Sequence, residues 1–391
     1  MTTVLGFPAQ ELDERNAYWT WREIIQQPTL WRQVGETAAS QHMATEAFLR
    51  PLLQRRDLRI ILTGAGTSAF AGEILAPALS GVLARRVEAV ATTDIVSAPR
   101  AYFAEEVPTL LVSFARSGDS PESIAATHLA EQCLTECYHL VVTCNRDGRL
   151  YRDHSGAPRS HVLLMPDAAN DRGFAMTSSF TCMSLAARVA LSGKAPDLDL
   201  VERLAAGAEH LLATRGDAAR ELASPDLERV VYLGSGALTG LARESALKLL
   251  ELTAGGVATW FDSALGFRHG PKSVLDEHTL AVVYLSNDPY TREYDLDIVA
   301  ELRVALGPNR VLVVTAQECA AERERLGGAR VWVVPGLADA EDAALALPFV
   351  VCAQLLGLHF SLAHGRTPDN PFPSGEVNRV VQGVTVHPMP A

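Results

Sequence analysis

Arg59-Ile-Ile-Leu-Thr-Gly64-Ala-Gly66 and Arg229-Val-Val-Tyr-Leu-Gly234-Ser-Gly236 follow one pattern: a basic residue, an apolar run and a Gly-x-Gly turn, 170 residues apart. The correspondence continues outward from that pair. Thr109-Leu-Leu-Val-Ser-Phe114 answers Thr279-Leu-Ala-Val-Val-Tyr284 at the same spacing, and Leu140-Val-Val-Thr143 resembles Leu312-Val-Val-Thr315 two residues further apart. His161-Val-Leu-Leu-Met-Pro166 then matches Arg330-Val-Trp-Val-Val-Pro335. Short apolar, β-branched runs separated by helical-length segments read as parallel strands covered on both faces. The predicted fold is α/β: two tandem doubly wound parallel-sheet domains of flavodoxin-like form, an internal repeat.

The flanks of this pattern set the expected domain limits. Tyr18, Trp19, Trp21, Ile24, Ile25, Leu30, Trp31 and Val34 give an amphipathic helical pattern, so residues 1–45 read as an N-terminal helical arm. The first domain is expected over 46–212 and the second over 213–365. The Pro- and Gly-rich tail 366–391 reads as non-helical. Each half closes with a long apolar helix, Thr177 to Leu191 and about Ala343 to Ala363. The second is long enough to span a bilayer, but Pro348, Gln354 and His359 interrupt it, and its equivalent place in the repeat makes it a core helix.

Composition excludes several classes of function. The chain of 391 residues has a formal net charge of −12 and no basic block, which argues against a nucleic-acid surface. Met1 to Gln10 has neither a basic region nor an apolar core, so no secretory signal is expected and the cytoplasm is the default. The six cysteines are scattered; the one close pair, Cys133 and Cys137, has no histidine at zinc-like spacing. They read as buried thiols, with no metal site.

Three loops at predicted strand ends carry the chemistry, because ligands of open parallel sheets bind there. Gly64-Ala-Gly66-Thr67-Ser68 allows close backbone approach and adds two hydroxyls. With Ala69 it also satisfies a dinucleotide fingerprint, so a nicotinamide dehydrogenase is one rival reading. Arg116-Ser117-Gly118-Asp119-Ser120-Pro121-Glu122-Ser123 opens a helix with Ser120 suited to the cap and Pro121 to the first turn. A capped helix alone would leave Arg116, Ser117 and Ser123 without purpose, so the loop reads as a phosphate cradle. The helix from about Leu238 to Leu252 carries Glu244, Lys248 and Glu251 within roughly 60° of one another. Its remaining surface is mostly apolar, so this charged seam is buried and needs partners or a ligand. Beyond it lies His269, between Arg268 and the Gly270-Pro271 turn.

This constellation resembles the sugar isomerase (SIS) domain family, in particular tandem-domain members such as the isomerase half of glucosamine-6-phosphate synthase. The motifs that carry the resemblance are Gly64-Ala-Gly-Thr-Ser68, Arg116-Ser-Gly-Asp-Ser120, Glu244-Ser-Ala-Leu-Lys248-Leu-Leu-Glu251 and His269-Gly-Pro271. The chain is most similar to the galactosamine-6-phosphate deaminase/isomerase group, also called tagatose-6-phosphate ketose/aldose isomerases. That similarity takes in Glu23-Ile-Ile-Gln-Gln-Pro28 and the stretch from Pro368 to Gly383.

The resemblance implies that Glu251 moves a proton between C1 and C2, that Lys248 assists at the sugar oxygens or nitrogen, and that Glu244 orients substrate. It implies that His269 helps open the ring, reaching in from a second subunit of a homodimer with active sites at the interface. It further implies that Gly66, Thr67, Ser68, Ser117, Ser120 and Ser123 bind sugar or phosphate and that the tail closes on the site. Ala115 stands where the synthase has a phosphate-binding serine and Gln382 where it has a lysine; Arg116 and Arg379 are the expected compensation. The activity expected is conversion of galactosamine-6-phosphate to tagatose-6-phosphate and ammonia, with no cofactor. The alternatives are glucosamine-6-phosphate deamination to fructose-6-phosphate, or ketose/aldose exchange without deamination. A sugar-phosphate-sensing regulator is a further rival, although the arm lacks a basic recognition helix. No membrane or nucleic-acid partner is expected.

Overall fold

The computed structural model describes residues 3–317, 320–381 and 383–389. Two five-stranded sheets, parallel throughout, organise the chain. The first consists of β1 (Arg59–Thr63), β2 (Val87–Ala89), β3 (Thr109–Ala115), β4 (Cys137–Thr143) and β5 (Ser160–Leu164), in the order β2-β1-β3-β4-β5. The second consists of β6 (Arg229–Leu233), β7 (Ala258–Asp262), β8 (Thr279–Tyr284), β9 (Val311–Thr315) and β10 (Arg330–Val333), in the order β7-β6-β8-β9-β10. Strand order reverses at β1/β3 in one sheet and at β6/β8 in the other, the places where open α/β sheets bind ligands.

Each sheet has one strand more than the four apolar runs announce. Val87–Ala89 is only three residues long, and Ala258–Asp262 is an edge strand whose residues are all exposed or half-buried. Neither shows the continuous apolar run of a strand covered on both faces. The central strands do: every residue of β3, β8 and β9 is buried.

The chain divides into two compact units. One comprises residues 1–28, 172–177 and 199–374; the other comprises 29–171, 178–198 and 375–391. In the second of these, α1 (Gln27–Leu53) packs on α5 (Ser178–Leu191), where the Trp31 indole donates to Thr181 Oγ1 at 2.9 Å. Between the two helices in sequence lie α2 (Thr67–Leu83), α3 (Thr92–Ser97) and α4 (Pro121–Cys133). Ile61 of β1, Ile95 of α3, Leu111 of β3 and Ala126 of α4 belong to one apolar cluster.

In the other unit, α6 (Ala237–Leu252) lies against α8 (Asp342–Ala363), with α7 (Pro289–Leu306) between them in sequence. A methyl group on Gly357 of α8 would come within 2.9 Å of Leu252 Cδ1 and 3.6 Å of the Lys248 carbonyl oxygen. Helix α8 is apolar and long enough to cross a membrane, yet it is buried from Ala343 to Leu362, as a core helix must be. Near the chain start, the Glu23 carboxylate accepts the backbone N–H groups of Arg172 and Gly173, and Asp369 accepts those of Trp19 and Thr20.

Beneath the first sheet, His139 of β4 is buried with its ring centroid 4.6 Å from that of His154. Burial, followed by the neighbouring His154 and His128, pushes the His139 imidazole down to about 3. An unfolded histidine titrates near 6.5, so the unfolded chain takes up this proton first. Stability is therefore full above pH 6.5 and is lost as pH falls toward 3, at about 1.4 kcal/mol per pH unit for this group. His139→Leu is expected to remove that slope, and urea denaturation at pH 7 and pH 5 measures it. Equal losses in both proteins would rule the histidine out.

Candidate functional site

The charged seam begins at a turn that only glycine permits. Gly236 caps α6 with φ +59°, and a methyl group on Gly234 would sit 2.6 Å from the Leu238 carbonyl oxygen. From there α6 runs as a mostly apolar helix with Glu244 and Lys248 fully buried. The Lys248 ammonium donates to Glu251 Oε2 at 2.6 Å and lies 3.6 Å from Glu244 Oε1. The Glu251 side chain keeps 26% of its exposure whereas that of Lys248 keeps 1%. One ammonium thus fixes one oxygen of Glu251. The other oxygen, Oε1, has no hydrogen-bond partner among the described residues. A carboxylate so held can exchange a proton with a carbon acid without first having to be oriented.

His269 is not part of this seam. It follows a short 3-10 turn, Gly266–Arg268, and its ring is exposed with no hydrogen bond among the described residues. Its neighbours are fastened: Arg268 Nε and Lys272 Nζ donate to the two oxygens of Glu301 at 2.7 and 2.8 Å.

The other unit holds the two hydroxyl-rich loops. Gly66 caps α2 at φ +55°, and Thr67 and Ser68 are buried in its first turn. After β3, Ser120 occupies the cap position of α4 and Pro121 the first turn, as the sequence implies. The Ser120 side chain accepts no helix N–H; it donates to Ser123 Oγ at 2.6 Å. That leaves the first-turn N–H groups of a thirteen-residue helix uncapped by side chains, the arrangement that receives anions. The loop is braced from behind, since Asn145 Nδ2 donates to the Ser117 carbonyl at 2.8 Å and the Leu150 N–H to that of Gly118 at 3.0 Å.

Arg116 is buried at the head of this loop. Its Nη2 donates to the Arg379 carbonyl at 2.9 Å, while Nη1 has no partner among the described residues. Arg379 itself donates through Nη2 to the Asp171 carbonyl. Gln382 lies outside the described residues, as does Cys319. Of the described cysteines, Cys137, Cys144, Cys182 and Cys352 are buried and Cys133 is half-buried. Among the described residues no group of three or more His, Cys, Asp or Glu side chains could hold a metal ion.

The loop after β8 holds the same topological place as the one after β3, yet its donors are already taken. Asp288 caps α7 and accepts the Thr291 N–H at 2.8 Å. Asp295 accepts Ser235 Oγ at 2.5 Å and the Ser286 N–H at 3.0 Å, and Asp342 accepts Ser286 Oγ at 2.5 Å and the Asn287 N–H at 2.9 Å. Burial raises both carboxyls, that of Asp295 to about 6. Reading the sequence for glycines and hydroxyls missed this carboxylate-lined loop. The signal for it was Asp288-Pro289 in the position of Ser120-Pro121.

Comparison with known proteins identifies the family. The sequence pattern of the SIS domain matches residues 52–192. The chain is 43% identical over 383 residues to the D-galactosamine-6-phosphate deaminase AgaS of Shewanella sp. strain ANA-3, covering 97% of this chain and 94% of that one. It is 60% identical over 374 residues to a Streptomyces coelicolor protein that carries the same name provisionally, covering 95% and 96%. The crystal structure of tagatose-6-phosphate ketose/aldose isomerase from Escherichia coli superposes with a TM-score of 0.87 at 42% identity, over 95% of this chain and 97% of that one. Identity at this level over nearly the whole length shows that the chain belongs to the SIS-domain family, in the group of proteins named D-galactosamine-6-phosphate deaminase AgaS.

Proposed function

We propose that this chain is an isomerase and deaminase of amino-sugar phosphates, with galactosamine-6-phosphate as its substrate and tagatose-6-phosphate and ammonia as its products. The observation that carries this reading is the partly exposed Glu251, pinned through one oxygen by a buried ammonium. The names of the relatives supply the substrate class.

Glu251 takes the proton from C2 of the open-chain amino aldose, and the electrons move onto the C1 oxygen, which takes a proton from water to give an enaminol. The nitrogen lone pair then forms the C2 imine, losing one N–H proton to water, as Glu251 returns its proton to C1. The C2 imine then adds water and releases ammonia, leaving the ketose. Lys248 holds Glu251 and offers a positive charge to the developing oxyanion, Glu244 balances that charge, and proton transfer alone carries the step. The phosphate is assigned to the uncapped N-terminus of α4 with Ser117, Ser120 and Ser123, aided by Arg116 and by Gly66, Thr67 and Ser68. Arg379 contributes through the backbone carbonyl that receives Arg116. The exposed His269 is assigned to ring opening in a neighbouring protomer of a homodimer. A cytoplasmic location accords with a phosphorylated substrate.

A second reading, ketose/aldose exchange without loss of nitrogen, is favoured by the name that the Escherichia coli relative carries. Both readings share the C1/C2 proton shuttle and differ in what water does afterwards. Incubation with galactosamine-6-phosphate and with glucosamine-6-phosphate separates them. Ammonia and a ketose phosphate are expected in equal amounts from the galactosamine ester, and turnover of tagatose-6-phosphate with no ammonia from either amine would leave only the exchange.

A further inference from the structure

Helix α6 carries Glu244, Lys248 and Glu251, whose usefulness depends on its rotation about its own axis. A rotation of about 10° sweeps an atom about 6 Å from a helix axis through about 1 Å, and misplacement on that scale can cost about 10²-fold in rate. Apolar packing holds the helix by filling the space around it but has no preferred direction of its own. Hydrogen bonds do have one, and a side-chain hydrogen bond ties α6 to the sheet beneath it.

Ser245 supplies that bond. It lies about 60° around the helix from Lys248 and about 100° to 120° from Glu244 and Glu251, so it flanks the charged seam. Its hydroxyl donates to the Leu241 carbonyl at 2.7 Å and lies 2.8 Å from the Tyr284 hydroxyl. The single Ser245 proton is engaged by Leu241, so the phenol of Tyr284 is the donor to Ser245. Burial holds that phenol well above its usual range, and it stays protonated. Tyr284 belongs to the central strand β8 and stands in a stack of buried rings, 6.4 Å from Tyr232 and 6.0 Å from Phe349, nearly parallel to both. The stack fixes the phenol, and the phenol fixes the serine.

Tyr232 shows what a buried phenol does without such a task. It sits in the same stack on β6, fully buried, and its hydroxyl has no hydrogen-bond partner among the described residues. The two tyrosines differ in whether they touch α6 through oxygen. On the same side of α6 as Ser245, Gly357 of α8 comes close to Lys248 and Leu252, so α8 packs tightly along the helix there.

We propose that Tyr284 and Ser245 are positioning residues which set the rotation of α6 and thereby aim Glu251 and Lys248 for proton transfer. This rests on the assignment of Glu251 as the proton carrier. The test compares Tyr284→Phe, Ser245→Ala, their double variant and Tyr232→Phe, with Glu251→Gln assayed in parallel on galactosamine-6-phosphate. In the first two, kcat is expected to fall about tenfold or more with KM within about twofold. The double variant is expected to be no slower than the worse single, because both changes cut one linkage. Tyr232→Phe is expected to keep wild-type kcat, which separates the loss of a directed bond from the loss of a buried oxygen. Wild-type kcat in Tyr284→Phe, or an equal fall in Tyr232→Phe, overturns the positioning role while leaving the reading of Glu251 intact. Full activity in Glu251→Gln overturns both.

Discussion

Glu251→Gln is expected to lower kcat by about 10²- to 10⁴-fold, the usual range for loss of a positioned acid–base group, with KM nearly unchanged. The amide keeps the length and shape of the side chain and retains an oxygen to accept from Lys248, which donates to Glu251 at 2.6 Å in the native protein. What it loses is the capacity to carry a proton between adjacent carbons. A fall in kcat and kcat/KM by the same factor marks an interaction made only in the transition state. Exchange of substrate hydrogen with solvent deuterium, followed by mass spectrometry, checks the step directly. Retained exchange in the variant would assign the shuttle to another group.

Lys248→Met is expected to destabilise the fold by about 3 to 5 kcal/mol, the cost of removing one partner from a buried ion pair. The ammonium keeps 1% of its exposure and the Glu244 carboxylate none. Methionine fills much of the volume but leaves a buried carboxylate without the cation 3.6 Å away. Adding Glu244→Gln to Lys248→Met is expected to recover part of the loss, since the double variant carries one buried charge fewer. Urea denaturation of the wild type, the two single variants and the double variant measures both effects. A loss below about 1 kcal/mol in Lys248→Met would be that of a solvated surface pair.

Both variants concern residues that the sequence made conspicuous. Charge is costly in an apolar helix, so Glu244, Lys248 and Glu251 stood out against Leu241, Leu249 and Leu252 before any coordinates. The buried strands were legible for a related reason: β-branched runs bounded by glycine have few other uses. Val87–Ala89 was too short to register, and Ala258–Asp262 lacks the apolar continuity of its neighbours. The pairing of Ser245 with Tyr284 was not legible at all. It joins residues 39 apart in the chain, and neither residue type announces a partner. The seating of Arg116 under the Arg379 carbonyl, 263 residues away, was hidden for the same reason. Local pattern reveals which residues are expensive to place; it does not reveal which ones meet.

The two sheets share one plan but furnish it in opposite ways. After β3 the helix N-terminus keeps its donors uncapped by side chains, whereas after β8 Asp288 accepts a first-turn N–H and Asp295 and Asp342 accept those of Ser286 and Asn287 in the loop before it. Such carboxylates repel a negatively charged guest and hold their loop in shape without one. A doubled architecture therefore need not double capacity: one half can stay receptive while the other is stiffened in advance, and the stiffened half is the one that bears Glu251.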